Sequence, residues 1–254
     1  LNNLGGSITG GVTGLQMAGS TIAGGISNTG YIQGQSAAGM ALVASQIAGN
    51  LHNAGGTISG VQNGLSLSGS VITTGLTNAG LITGTGVSSA GIVLANASTI
   101  TGGLNNVANA TISGGATGLQ VASSSLASGL TNAGLIRGTT AFGVSLSNAI
   151  IGGSIINNGG TMSGAQNGLA IYNGTTVLGN VSNSGYLQAT TYAGLSLGQS
   201  YITGSVVNQT GASITGYYGL NANGATVAGG MTNAGLVQGT YSGLSLVNSN
   251  IANG

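Results

Sequence analysis

Apolar residues recur along this chain in short alternating runs rather than in long blocks. Gly64-Leu65-Ser66-Leu67 and Gly194-Leu195-Ser196-Leu197 each place two leucines on one face of an extended segment and a serine on the other. Runs this short, interrupted by glycine every few residues, do not suit helices, where each glycine would cost about 1 kcal/mol. The pattern predicts strands of a few residues joined by tight turns.

The runs form a repeat. Ten units start at Leu1, Ile26, Leu51, Leu76, Leu104, Leu130, Ile155, Val181, Val206 and Met231, spaced mostly by 25 or 26 residues with one unit of 28. Each reads approximately apolar-x-Asn-x-Gly-x-Ile-x-Gly, a turn, Gly-Leu-x-Leu, a second turn, then Ile-x-Gly. The third position is asparagine in every unit: Asn3, Asn28, Asn53, Asn78, Asn106, Asn132, Asn157, Asn183, Asn208 and Asn233. A glycine precedes the central strand in every unit, from Gly14 and Gly39 through to Gly243. A helix-free unit of this length is one coil of a parallel β-solenoid. The predicted fold is therefore all-β, one continuous solenoid over residues 1–254. Its ten coils, stacked at about 4.8 Å, make a rod about 48 Å long.

A second period lies on top of the first. Odd coils put a small hydroxyl residue before the aliphatic of the second strand: Ser7, Thr57, Thr111, Thr161 and Ser213. Even coils put a large residue there: Tyr31, Leu81, Leu135, Tyr186 and Leu236. The true unit is thus a two-coil doublet, present five times. Since the next residue points inward, these five should point outward in a line with a step of about 9.6 Å. Two readings of the line are open, an association surface or side chains that cover a neighbouring turn.

Composition narrows the function. Of 254 residues, 53 are glycine, one is arginine and one histidine, and aspartate, glutamate, lysine, proline, cysteine and tryptophan are absent. Carboxylate-based catalysis, carboxylate cation sites, cysteine-zinc sites and disulfides all lack their residues, so no enzyme, cofactor or metal is expected. One arginine cannot supply the phosphate contacts of a nucleic-acid-binding protein. No apolar run approaches the roughly 18 residues of a membrane-spanning helix. The opening Leu1-Asn2-Asn3 lacks the basic start of a secretion signal, so the sequence reads as a mature product or an internal fragment. In a stacked solenoid like residues face each other within about 5 Å, so a charged column would repel itself coil after coil.

The remaining candidates are weighed individually. The asparagine column is expected at a corner, where asparagine tolerates left-handed backbone and stacked amides bond from coil to coil. Phe142, Tyr192, Tyr217, Tyr218 and Tyr241 fall in one turn of coils six, eight, nine and ten, where they either pack on one another or bind a sugar or partner surface. His52 and Arg137 have no acidic partner anywhere in the chain and are expected as solvated surface residues.

Segments such as Leu76-Thr77-Asn78-Ala79-Gly80-Leu81-Ile82-Thr83-Gly84 and Val181-Ser182-Asn183-Ser184-Gly185-Tyr186-Leu187 resemble the repeats of bacterial autotransporter passenger domains. The resemblance covers nearly the whole chain. It implies a secreted or cell-surface protein used in adhesion, aggregation or biofilm formation, although such passengers normally carry many charges. The first and last coils carry no polar cap, and Asn253-Gly254 leading into Leu1 would keep the register near one more coil. The expectation is an extracellular structural fibre or cell-surface rod whose partner is itself, end to end or side by side. The competing expectation is an adhesin that holds glycan or a host surface through its turn aromatics. A β-helical polysaccharide lyase or hydrolase ranks third, since the carboxylates of that chemistry are missing.

Overall fold

The structure, a computed structural model, describes residues 1–253; Gly254, invoked above for the join between chain ends, lies outside them. No helix occurs among the described residues, and hence none long and apolar enough to cross a membrane. The first coil contains four strands: β1 (Asn2–Asn3), β2 (Ser7–Gly10), β3 (Leu15–Ala18) and β4 (Thr21–Ile22). The four-strand pattern repeats through the first eight coils, and the last two keep the same path with fewer, longer strands. All β1 equivalents stack into one ten-stranded parallel sheet and all β4 equivalents into another. The β2 and β3 equivalents share a third sheet of eighteen strands.

Register follows the sequence columns. Asn53 pairs with Asn28 and Asn78, Ile58 with Ile32 and Ile82, and Leu67 with Leu42 and Leu94. Inward residues of the four strands meet in one continuous aliphatic core, in which Ile32, Leu67, Ile82, Ile112 and Leu146 are fully buried. Alternation within a strand sends every second residue inward, and stacking then places like on like.

The doublet is built into the backbone as well. After the asparagine, each odd coil contains a left-handed residue: Gly5, Gly55, Asn109, Gly159 and Gly211. Even coils close the same corner through Asn-x-Gly in a shorter turn, with no positive φ in that turn. The glycine before β3 and its equivalents answers a different need. A Cβ at Gly64 would lie 2.7 Å from the Gly91 carbonyl oxygen, the Thr83 nitrogen and the Ile82 side chain. The invariant glycine is thus a close-approach position, where the next coil leaves no room for a side chain.

Two expectations need correction. The asparagine column does not sit in left-handed backbone; its residues end extended strands such as Ile26–Asn28 and have no positive φ. Left-handed residues form a separate column between the third and fourth strands, including Gly19, Ala44, Gly69, Asn148, Gln199 and Gly224. Nor do all the aromatics sit in a turn. In coils nine and ten the second and third strands merge into single strands, Ser213–Asn223 and Leu236–Val247, so Tyr217, Tyr218 and Tyr241 lie within continuous strands. Ring packing between adjacent coils accompanies this straightening.

Candidate association and ligand surfaces

The asparagines form an unbroken ladder. Each Nδ2 donates to Oδ1 of the asparagine one coil on, in nine successive bonds of 2.8–2.9 Å from Asn3 to Asn233. Nδ2 also faces the carbonyl oxygen closing its own corner, as Asn53 does with Gly56 at 2.8 Å. Asn28 to Asn208 are buried, so the ladder satisfies amides that would otherwise cost about 1–3 kcal/mol each. All nine bonds run in one direction. From Asn3 to Asn208 the column is internal and offers no surface to a ligand; Asn233, the last rung, is exposed.

A second polar ladder escaped the sequence reading. At the corner before β4 and its equivalents, eight of ten coils carry a hydroxyl: Ser20, Ser45, Ser70, Ser98, Ser124, Thr175, Ser200 and Ser249, with alanine at Ala149 and Ala225. Ser70 shows the usual geometry. Its hydroxyl donates to the Ser68 carbonyl at 3.0 Å and accepts the Ser45 N–H at 3.0 Å. Ser200 breaks the pattern: the matching N–H of Thr175 bonds to Tyr172 O within its own turn and not to the Ser200 hydroxyl. The Ser200 hydroxyl is buried with no partner. The signal in the sequence was a hydroxyl recurring two residues before the closing aliphatic of the coil, obscured by the two alanines.

The outward line stands where the alternation placed it. Tyr31, Leu81, Leu135, Tyr186 and Leu236 share one register column with the odd-coil hydroxyls, each large residue flanked by Ser or Thr above, below or both. Tyr31, Tyr186 and Leu236 are exposed, while Leu81 and Leu135 are half-buried. The line is therefore open to solvent along the side of the rod.

The aromatics divide into two groups. Tyr217 and Tyr241 stack at 5.1 Å with ring planes 9° apart, and Tyr218 meets Tyr192, Tyr217 and Tyr241 edge-on at 5.0–5.5 Å. Desolvation, with added repulsion from Tyr217, Tyr241 and Tyr192, raises the Tyr218 hydroxyl above its ordinary pKa. The Tyr192 hydroxyl accepts a 2.7 Å bond from Asn221 Nδ2, which anchors the group to the strand beneath. Phe142, grouped with these rings by sequence, stands apart and stacks instead on Tyr172 at 6.2 Å. Tyr172 was missed because it lies at the end of a third strand, Asn167–Tyr172, rather than in the aromatic-bearing turn. Its hydroxyl lies 2.9 Å from Ser145 Oγ, over the outer face of the neighbouring strand.

His52 is half-buried and Arg137 exposed, both on outward positions of their strands. Among the described residues no group of three or more His, Cys, Asp or Glu converges on a metal-sized site. At the tenth coil an apolar recess of about 330 Å³ is lined by Met231, Val237 and Leu244, inward positions that no further coil covers among the described residues. Compared with protein-family models, curated proteins and solved structures, the chain matches none.

Proposed function

We propose that this chain is a structural rod of the cell surface or extracellular space, built by stacking solenoid coils and elongated by adding more of them. One observation carries this reading: the buried asparagine column repeats one neutral side chain that bonds to its own copy in the next coil, nine times in succession. Such a column grows without accumulating charge, so each coil is a template for another. Val237, Leu244 and Leu246 in coil ten are the inward positions a further coil would cover, whether it belongs to the same chain or to a second copy. The absence of carboxylate and lysine side chains argues for a role in support rather than chemistry. Negative-stain electron microscopy in dilute neutral buffer tests the polymer form: end-to-end filaments are expected, and discrete monomers alone would exclude it.

A second reading has its own observation in the tyrosine group. Tyr192, Tyr217 and Tyr241 are exposed and held in fixed orientation, a platform of the kind that sugars stack on. On this reading the rod is an adhesin resembling autotransporter passengers, and glycan or a host surface is its ligand. Replacing all four tyrosines of the group by alanine would then abolish attachment while the far-ultraviolet dichroism of the rod persists. Attachment that survives would exclude this surface.

A further inference from the structure

The doublet does more than alternate one column. Two residues along the same strand lies a second outward column, and it alternates in phase with the first. Odd coils carry Thr9, Ser59, Ser113, Ser163 and Thr215 there; even coils carry Gln33, Arg137, Gln188 and Gln238, with Thr83 the one short member. Every even coil is thus a ridge with a large residue beside a usually long one, and every odd coil is a trough of two small hydroxyls. Around coil seven the trough is a groove of about 420 Å³, with Thr161 and Ser163 between Leu135 and Arg137 on one side and Gln188 on the other. Ridges and troughs have the same width, one coil, and the same step of about 9.6 Å.

We propose that this corrugated face is the docking surface for a second copy of the chain, packed antiparallel so that the ridges of each copy fill the troughs of the other. Rotation about a two-fold axis along the strand direction, set between an odd coil and the next even coil, maps every even coil onto an odd one. With the axis between coils five and six, Leu81 of one copy meets Thr161 of the other, and Tyr31 meets Ser213. Such an interface is isologous and closes as a dimer. A partner lacking this two-coil period would fit one or two troughs, whereas a second copy fits all of them.

Area agrees with this occupant. Ten coils of about 4.8 Å by a four-residue strand of about 13 Å give a footprint of about 600 Å² per copy. The pair then buries about 1,200 Å² before corrugation adds to it, which reaches the range of stable complexes. Arg137 is the face's one charged side chain. Across the axis the two Arg137 side chains project into the interface from adjacent levels, each opposite Ser113 of the other copy. Their like charges oppose the pairing, and the long stems must carry both guanidiniums to the solvated edge of the face.

This pairing uses the coil register of the rod but not its elongation, so the two are tested separately. Sedimentation velocity over a range of concentrations should show a reversible dimer. Thr161→Leu fills a trough and should raise the dissociation constant by about tenfold, as overpacking does. Adding Leu81→Thr to it exchanges ridge for trough at the facing position and should return the constant to within about threefold of the parent. Thermal melts of the variants report that each remains folded. A chain that stays monomeric at every concentration would overturn the pairing while leaving the rod standing. So would tighter association of Thr161→Leu, the result expected of unspecific apolar contact, and failure of the double variant to recover would overturn the antiparallel register.

Discussion

Asn53 Nδ2 donates to Asn78 Oδ1 at 2.8 Å, and both side chains are fully buried one coil apart. Asn78 in turn donates to Asn106 at 2.9 Å, so each interior asparagine is both donor and acceptor in the ladder. This double role is why the column admits one residue type. Asn has an acceptor and a donor on opposite sides of a flat group, which aspartate or leucine cannot reproduce.

Asn78→Ala should therefore destabilise the chain by about 2–4 kcal/mol, since it leaves Asn53 and Asn106 each short of a buried partner. Asn233→Ala, at an exposed rung with one ladder bond, should cost about 1 kcal/mol or less. Equilibrium urea unfolding of the two variants checks the contrast; equal losses would show that neither burial nor the second ladder bond sets the cost.

The hydroxyl column predicts opposite signs at two serines. Ser70→Ala removes a donor and an acceptor that are both used and should cost about 1–2 kcal/mol. Ser200→Ala removes a buried hydroxyl without a partner and should stabilise by about 1 kcal/mol, the more so because Ala149 and Ala225 already occupy the same column. Differential scanning calorimetry distinguishes the two directions.

Glycines in the two kinds of position should respond differently to alanine. Gly64→Ala forces a Cβ to within 2.7 Å of neighbouring backbone and should lose about 3 kcal/mol or more. Gly55→Ala meets open space but keeps a φ of +88°, so its cost is the conformational strain of about 1–2 kcal/mol. Thermal denaturation midpoints of the pair give the comparison.

The pH profile should be flat on the acid side and fall on the alkaline side. No aspartate or glutamate side chain exists to be protonated, so stability should change little between about pH 3 and 8. At high pH the sign follows from Tyr218, whose hydroxyl holds its proton more tightly folded than unfolded. That preference is fully present below about pH 10, the unfolded tyrosine value, and is lost as pH rises through the higher folded value. Tyr218→Phe should flatten the alkaline limb of a plot of melting temperature against pH. A sharp acid transition would contradict the flat region.

Much of this was legible because a solenoid is nearly one-dimensional. When Asn3, Asn28 and Asn53 recur at fixed spacing, stacking forces them together, and the chain's own period states the contact map. The line from Tyr31 to Leu236 was legible for the same reason. The aromatic groups were not. Phe142 and Tyr192 stand one register position apart, Phe142 in the column of Asn167, Ala193 and Tyr218; Phe142 turns to Tyr172 and Tyr192 to Tyr218, a choice set by which rings the neighbouring coils supply.

By itself, then, the sequence determined the coil, its register, the two-coil doublet and the identity of each column, because periodic spacing and strand alternation leave one way to stack them. Tertiary structure alone decided which asparagine atoms bond, that the ladder is buried rather than cornered in left-handed backbone, and that Gly64 is required for closeness while Gly55 accommodates a positive φ. It also decided that Ser200 is stranded. The reason is physical: periodicity specifies which residues become neighbours. Hydrogen-bond direction, turn length and close approach arise only when neighbouring coils occupy the same few ångströms.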